Sequence, residues 1–400
     1  MRTIVIENIA IKRRIDLTLT GSNIISFTAA SVFLPYILSA FVLAFLSIYI
    51  IANQHTRQLI FLHKGSRALK AFFIYMLVLP LLFHNWKGFA VGIGVLLMLI
   101  LGLYLRSVMT RDIFENVLTM ICTLSLTSAG YAFLESFVNY LDVGRNTHRI
   151  SAVFSHPNYF GTVVATVIII CAYKVLTSNE NKLLFCTIAG FNVFSLYLCK
   201  SLFAFIEVFI GISVLLIILK SYRLLILWLS AAVVGAILIF LLDVNIVPRL
   251  YDVSVTIKIR LKIWSLAWEQ IKNNPFFGHG FMSFGYLFDA TYKSRQIPHS
   301  HSIYLDMILN FGIVGSVLFL WYFVRYYRNV CKTWLKRRNN QVASIILAVS
   351  AAAFVHGATD LTILWIQTLP LLLFLLAGQG AEERAEQLTV ILNYSNEEKS

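Results

Sequence analysis

The sequence predicts an all-α, polytopic integral membrane protein with about eleven to twelve transmembrane helices and one long extracytoplasmic loop. Hydrophobic residues make up 58% of the 400 and charged residues 13%, with a mean hydropathy of +0.77. Too little polar surface remains to cover a soluble globule of this length. Apolar segments recur along the chain, most of them near the ~20 residues that cross a bilayer core. Lipid offers no partner to open backbone groups, and these runs lack the strict alternation of barrel strands, so the segments are read as helices.

In chain order the segments cover approximately 24–52, 67–83, 88–105, 113–134, 159–177, 182–199, 201–219, 223–242, 303–324, 342–359 and 361–378. The basic stretch before them carries Arg2, Lys12, Arg13 and Arg14. No small-residue cleavage site follows a short apolar core, so it does not read as a removable signal peptide. The first segment is longer than one span needs and is broken at Pro35, which suggests a tight pair of short helices or a re-entrant hairpin. Cys122, Cys171, Cys186, Cys199 and Cys331 lie in or beside apolar segments without C-x-x-C spacing. Neither disulfides nor thiolate metal sites are indicated.

Basic connections give the orientation. Arg325, Arg328, Lys332, Lys336, Arg337 and Arg338 mark one cytoplasmic loop; Arg57, Lys64, Arg67 and Lys70 mark another, and Arg106 and Arg111 a third. Counting segments between them places 135–158 and 243–302 outside and the acidic tail from Gly380 inside. If 24–52 were a single span, the basic N-terminus would lie outside, against the rule; a pair of helices there removes the conflict. The expected divisions are N-terminal membrane helices over 1–242, an extracytoplasmic loop over 243–302, C-terminal membrane helices over 303–378 and a cytoplasmic tail over 379–400.

Charged, aromatic, Gly and His residues crowd together in Thr256–Gly315. At 100° per residue, Thr256–Lys272 reads as a helix with Lys258, Lys262, Ser265, Glu269 and Lys272 in a narrow polar wedge. Arg260 instead projects into the apolar arc beside Ile257, Trp264, Ala267 and Ile271, where a permanent charge is costly unless something anionic meets it. Asn273-Asn274-Pro275 ends the helix, and Gly278, Gly280 and Gly285 give a loop whose backbone can approach a ligand closely. His299 and His301 close the loop, just before the next apolar segment. Two histidines at i and i+2 suit a metal only with a third ligand, and none is clustered nearby in sequence. A proton acceptor at the water boundary is the favoured reading. Trp264, Trp268, Phe276, Phe277, Phe281, Phe284, Tyr286 and Tyr292 suit either sugar stacking or interfacial anchoring, with anchoring favoured.

The run Arg260-Leu-Lys-Ile-Trp264, the turn Asn274-Pro275-Phe276-Phe277-Gly278-His279-Gly280, the element His299-Ser-His301-Ser-Ile-Tyr304-Leu305 and Phe311-Gly312-Ile-Val-Gly315 share order and spacing with one known family. Together they resemble the O-antigen ligase and polysaccharide polymerase (Wzy-like) superfamily of membrane glycosyltransferases. Arg149-Ile-Ser-Ala-Val-Phe-Ser-His156-Pro157-Asn158-Tyr-Phe-Gly161 looks like a second family element.

That resemblance implies attack by a sugar hydroxyl of an acceptor glycan on the anomeric carbon of an undecaprenyl-pyrophosphate-linked donor, without a metal and with no cofactor. The matching positions make His301 the base, with His299 in reserve, and Arg260 the guanidinium that meets the pyrophosphate. Where the family commonly has an Arg opening a middle membrane helix, this chain has Leu202; Lys200, two positions earlier, is the expected replacement, and Arg149 a second cation. Asp360 reads either as a partner for a cation or as an inert loop carboxylate. The formal charge of +14 then fits membrane orientation and an anionic lipid-linked substrate better than nucleic acid.

The expected setting is a bacterial cytoplasmic membrane with the site on its outer side, a lipid bilayer around it, and a flippase and chain-length regulator as partners. Repeat-unit polymerisation into capsule, exopolysaccharide or O-antigen leads, over ligation to lipid A core and over protein O-glycosylation. A transporter of an anionic solute is the reading from another class; internal repeats and broken mid-membrane helices would mark it, and no convincing repeat is present.

Overall fold

The computed structural model describes residues 19–61, 67–143, 149–178, 180–242, 253–288, 291–292, 295–336 and 341–397. Arg2, Lys12, Arg13, Arg14, Lys64, Arg249, Lys293, Arg337 and Arg338 lie outside them. The described residues are almost wholly helical. The helices are α1 (Gly21–Ser31), α2 (Tyr36–Ala52), α3 (Gln54–Phe61), α4 (Arg67–Leu82), α5 (Trp86–Val108), α6 (Arg111–Val143), α7 (Pro157–Thr177) and α8 (Lys182–Cys199). They continue with α9 (Leu202–Ile218), α10 (Tyr222–Leu242), α11 (Val253–Asn273), α12 (Ser283–Leu287), α13 (Ile303–Lys336), α14 (Gln341–Gly357) and α15 (Thr368–Glu397). A 3₁₀ turn, Thr362–Leu364, precedes α15, and Thr291–Tyr292 pairs antiparallel with Arg295–Gln296 in a minimal hairpin.

Every apolar segment of the sequence falls on one or more helices. By length and composition, α5, α6, α7, α8 and α13 are each able to cross a membrane, and the pair α2–α3, bent by 93°, makes a sixth if it is one span. Others, such as α9 and α14, are apolar but shorter. The long first segment is two helices, as its proline suggests. Pro35 caps α2, where its missing N–H has no partner to lose. The tail does not separate from the last membrane segment, because α15 runs through to Glu397.

At the centre stands α7, buried along one continuous stretch from Phe160 to Cys171. Small residues let its neighbours approach. A Cβ on Gly211 of α9 would meet Ile169 at 2.2 Å, and one on Gly161 would meet Ser201 and Ala204 at 2.9 and 3.1 Å. Such close contact is how membrane helices gain packing energy when lipid is as apolar as their side chains.

The two ends of the bundle differ. At one end Arg106 pairs with Glu383 and bonds Tyr322, Arg111 bonds Gln341, and Arg384 bonds the Val108 carbonyl. These contacts gather the basic connection 106–111, the start of α14 and the acidic stretch of α15, which the charge pattern assigns to a single side. The opposite end holds the start of α7, the end of α8, the start of α13 and the end of α14.

At that second end α13 breaks. Gly312 has φ 60° and ψ −168°, a backbone region essentially confined to glycine. In an uninterrupted helix the N–H groups of Ile313 and Val314 would donate to the carbonyls of Leu309 and Asn310. Here they donate to Pro275 O at 2.9 Å and Phe276 O at 3.0 Å, while those carbonyls accept from His279 N at 3.0 Å and Gly280 N at 2.8 Å. The Pro275–Gly280 turn therefore docks into the break through four backbone hydrogen bonds that replace both missing helical ones. Tyr75 Oη, donating to Phe277 O and Phe311 O, ties α4 to the same seam.

Candidate functional site

Helix α11 is built as its periodicity predicts. Arg260, Ile263, Ala267 and Ile271 are buried on one face, while Lys258, Lys262, Ser265, Glu269 and Lys272 are exposed. Ile257, expected on the apolar arc, is 46% exposed. Arg260 is 9% exposed, its guanidinium carbon 4.5 Å from the centroid of the Phe203 ring. A cation over an aromatic face recovers part of the cost of leaving water. This guanidinium lines a cleft with Asn158, Ser201, Leu202, Phe203, Thr256 and Ile257.

The other polar groups come together through long-range contacts. His301 Nδ1 lies 3.2 Å from Asp360 Oδ1. Asp360, 4% exposed, accepts at its other oxygen from Asn158 Nδ2 at 2.7 Å. Asn158 Oδ1 in turn accepts from Arg149, whose Nε donates to Cys199 O at 3.1 Å. Burial alone would push the Asp360 carboxyl up, yet the His301 hydrogen bond and the imidazole rings around it hold it well below the usual carboxylate range. In the tautomer whose Nδ1–H donates to Asp360, His301 Nε2 carries the lone pair.

His299 is more enclosed than its place in a Gly-rich loop suggests. Burial and the neighbouring His301 charge lower its pKa to about 4, so it is neutral at physiological pH. Its Nδ1 accepts the His301 backbone N–H at 3.2 Å, and the two rings meet edge to face at 4.4 Å. His301 precedes the first turn of α13, its φ of 56° left-handed and its ring in contact with Asp360. That strain of order 1 kcal/mol is held by the His299 and Asp360 contacts.

The structure supplies the third metal-type ligand that the sequence did not show. The nearest ligand atoms of His299, His301 and Asp360 lie within 4.8 Å of one another, an arrangement a divalent ion would accept once the His301–Asp360 hydrogen bond opened.

Lys200 sits at the α8–α9 break with φ 49°. Its neighbours Ser201 and Leu202 line the Arg260 cleft, whereas Lys200 is not among the lining residues. Arg149 bonds Asn158 and a carbonyl of α8, a position that orients Asn158. Of the loop aromatics, Phe281 and Phe284 are buried, at 9% and 1% exposure, while Trp268, Phe276 and Phe277 are 50–60% exposed and suit the anchoring reading.

Asn158, Phe203 and the link from Asp360 to His301 were given no role by the sequence reading. Asn158 lies inside a quoted motif, but its partner is 202 residues away. Glu135 likewise reaches from α6 to accept from Ser151 N and Ala152 N, fixing the stretch that carries Arg149.

No curated protein matches the chain. Residues 183–320 match the family model described as O-antigen ligase, which supports lipid-linked glycans in a membrane as substrates and a role in polysaccharide or O-antigen biosynthesis. The matched stretch takes in Lys200, Arg260, His299, His301 and the α13 break, and it supports the O-antigen ligase and Wzy-like family that the motifs pointed to.

Proposed function

We propose that the protein polymerises undecaprenyl-pyrophosphate-linked oligosaccharide repeat units on the outer face of a bacterial cytoplasmic membrane, with His301 as the general base. The observation that carries this is the buried Asp360 carboxyl 3.2 Å from His301 Nδ1, its other oxygen bonded to Asn158, which lines the cleft with Arg260. In the transfer step the acceptor hydroxyl oxygen forms a bond to the donor's anomeric carbon, and the bond from that carbon to the pyrophosphate oxygen breaks. The hydroxyl proton passes to His301 Nε2, and the electron pair leaves with the lipid pyrophosphate. Asp360 fixes the tautomer and stabilises the imidazolium that results. Arg260 faces the charge that grows on the leaving group. Lys200 and Arg149 support this end of the site, Arg149 by holding Asn158 against Asp360. No metal or cofactor takes part in this reading.

Ligation is the second reading, favoured by the description of the matched family. Purified protein given lipid-linked repeat units alone separates the two. A ladder of lengthening glycan is expected. Single repeats that stay single until lipid A core is added would replace polymerase with ligase.

Arg260 provides a second check. Arg260→Ala is expected to lower transfer by about 10²–10³-fold, as removal of one preorganised charge donor does elsewhere, while the protein still accumulates in the membrane. Arg260→Lys should recover little, because an ammonium does not reproduce a planar fork over Phe203. Normal transfer by Arg260→Lys, measured with the same lipid-linked substrate, would replace bidentate recognition with simple attraction.

A further inference from the structure

A second cleft is lined by His299 and by Leu361, the residue after Asp360. It opens between α12, the Pro298–His299 stretch, the first turns of α13 and the 3₁₀ turn, and encloses about 400 Å³ including its mouth. His299, Asp306, Asn310, Phe281, Phe284 and Phe311 are among its lining residues. Asp306 is 3% exposed. One carboxyl oxygen, Oδ1, accepts the Ser300 N–H at 3.1 Å, and the other, Oδ2, is buried with no hydrogen-bond partner among the described residues. A carboxyl oxygen shut away without a donor is costly, and a hydroxyl-bearing ligand in the cleft would supply that donor.

We infer that this cleft is the acceptor-sugar subsite, with Asp306 Oδ2 receiving a glycan hydroxyl. The inference rests on the glycosyltransferase reading above and gives it the position of the acceptor. The lining chemistry selects the class of ligand. Among the described residues no Lys or Arg lines the cleft, so a pyrophosphate would find no cation there to meet it. A neutral sugar brings hydroxyl donors for the carboxyl and apolar C–H faces for the phenylalanine rings.

Placement agrees. Leu361, next in sequence to Asp360, lines this cleft, and Asn158, bonded to Asp360, lines the Arg260 cleft. The dyad is thus linked to both clefts, to the one with Asp306 through His299 and Leu361 and to the one with Arg260 through Asn158. A base that takes a proton from one substrate while the other departs as an anion needs that arrangement.

Asp306 also fixes Ser300, so a purely structural role has to be separated from binding. Asp306→Asn does so, because it keeps the shape and the oxygen for the Ser300 N–H while replacing Oδ2 with an amide donor. The assay uses full-length protein in lipid nanodiscs and lipid-linked saccharide extracted from the source bacterium as donor. The soluble acceptor is the same glycan freed of pyrophosphate by mild acid. Asp306→Asn is expected to raise the acceptor KM at least tenfold, with donor KM and melting temperature unchanged. An unchanged acceptor KM, or an equal rise in both KM values, overturns the subsite and leaves the transfer function standing. If the wild-type protein transfers nothing, saturation-transfer NMR with the free glycan decides. Glycan contact present in wild type and lost in Asp306→Asn keeps the sugar subsite while the transferase reading falls; no contact in wild type overturns the subsite.

Discussion

Replacing His301 with alanine is expected to lower transfer by about 10²–10⁴-fold, the range a positioned general base supplies, with donor binding largely kept and lipid-linked single repeats accumulating. The magnitude follows from the geometry. His301 Nδ1 lies 3.2 Å from the buried Asp360 carboxyl, a contact that fixes the ring and leaves Nε2 as the atom to meet the acceptor proton. Asp360→Asn is expected to lose most of the same activity, since an amide can donate to Nδ1 and so select the wrong tautomer. His299→Ala should be milder. Its Nδ1 only receives the His301 N–H, and its loss loosens the left-handed turn without removing the base. The competing account is a metal held by His299, His301 and Asp360. In the lipid-linked transfer assay, equal loss on replacing either histidine, together with inhibition by chelators, would establish the metal. Full activity of His301→Ala would remove the base.

What the sequence made legible was local. A 3.6-residue period placed Arg260 on the buried face of α11, and the structure finds it there among Ile263, Ala267 and Ile271. Pro35 marked the break that separates α1 from α2 because its ring and missing N–H act on adjacent residues. The resemblance brought His301 forward through its motif. Contacts between distant positions left no such trace. Asp360 reads as one carboxylate in a short turn until α14 brings it to His301, 59 residues away in sequence. The metal-type triad was invisible for the same reason. Asp306 stood inside an apolar helical pattern, where nothing local signals that one of its oxygens is buried without a donor. Lys200 shows the converse: the motif suggested that it replaces a helix arginine, while its left-handed backbone at the end of α8 sets it beside the Arg260 cleft and not among the residues lining it.

The glycines of the Gly278 and Gly312 motifs were legible as glycines, but their reason was not, because each is required by the other. Gly312→Ala is expected to destabilise the protein by about 2–6 kcal/mol and to abolish transfer even though residue 312 is not among those lining either cleft. Two costs combine. A Cβ at 312 occupies a backbone region that side chains avoid, at ~1–3 kcal/mol. The same Cβ would stand 2.3 Å from Phe276 O, an overlap that costs ~1–3 kcal/mol even after the neighbours shift. Relieving it means withdrawing the Pro275–Gly280 turn from the α13 break, which exposes the four backbone groups that the turn now satisfies. That turn follows directly on α11, which carries Arg260, and α13 follows directly on His301, so loss of docking separates the cation from the base. Gly278→Ala should fail in the same way, since its Cβ would meet Gly312 N at 2.5 Å. Gly190→Ala is the control, because a Cβ there, within α8, meets nothing within 4 Å and alanine favours the helix by ~1 kcal/mol. Thermal melting of detergent-solubilised protein, read beside transfer, checks all three. The docking account fails if Gly312→Ala melts with the wild type and transfers normally, and it stands if only the two loop-seam substitutions fall while Gly190→Ala melts at or above the wild-type temperature.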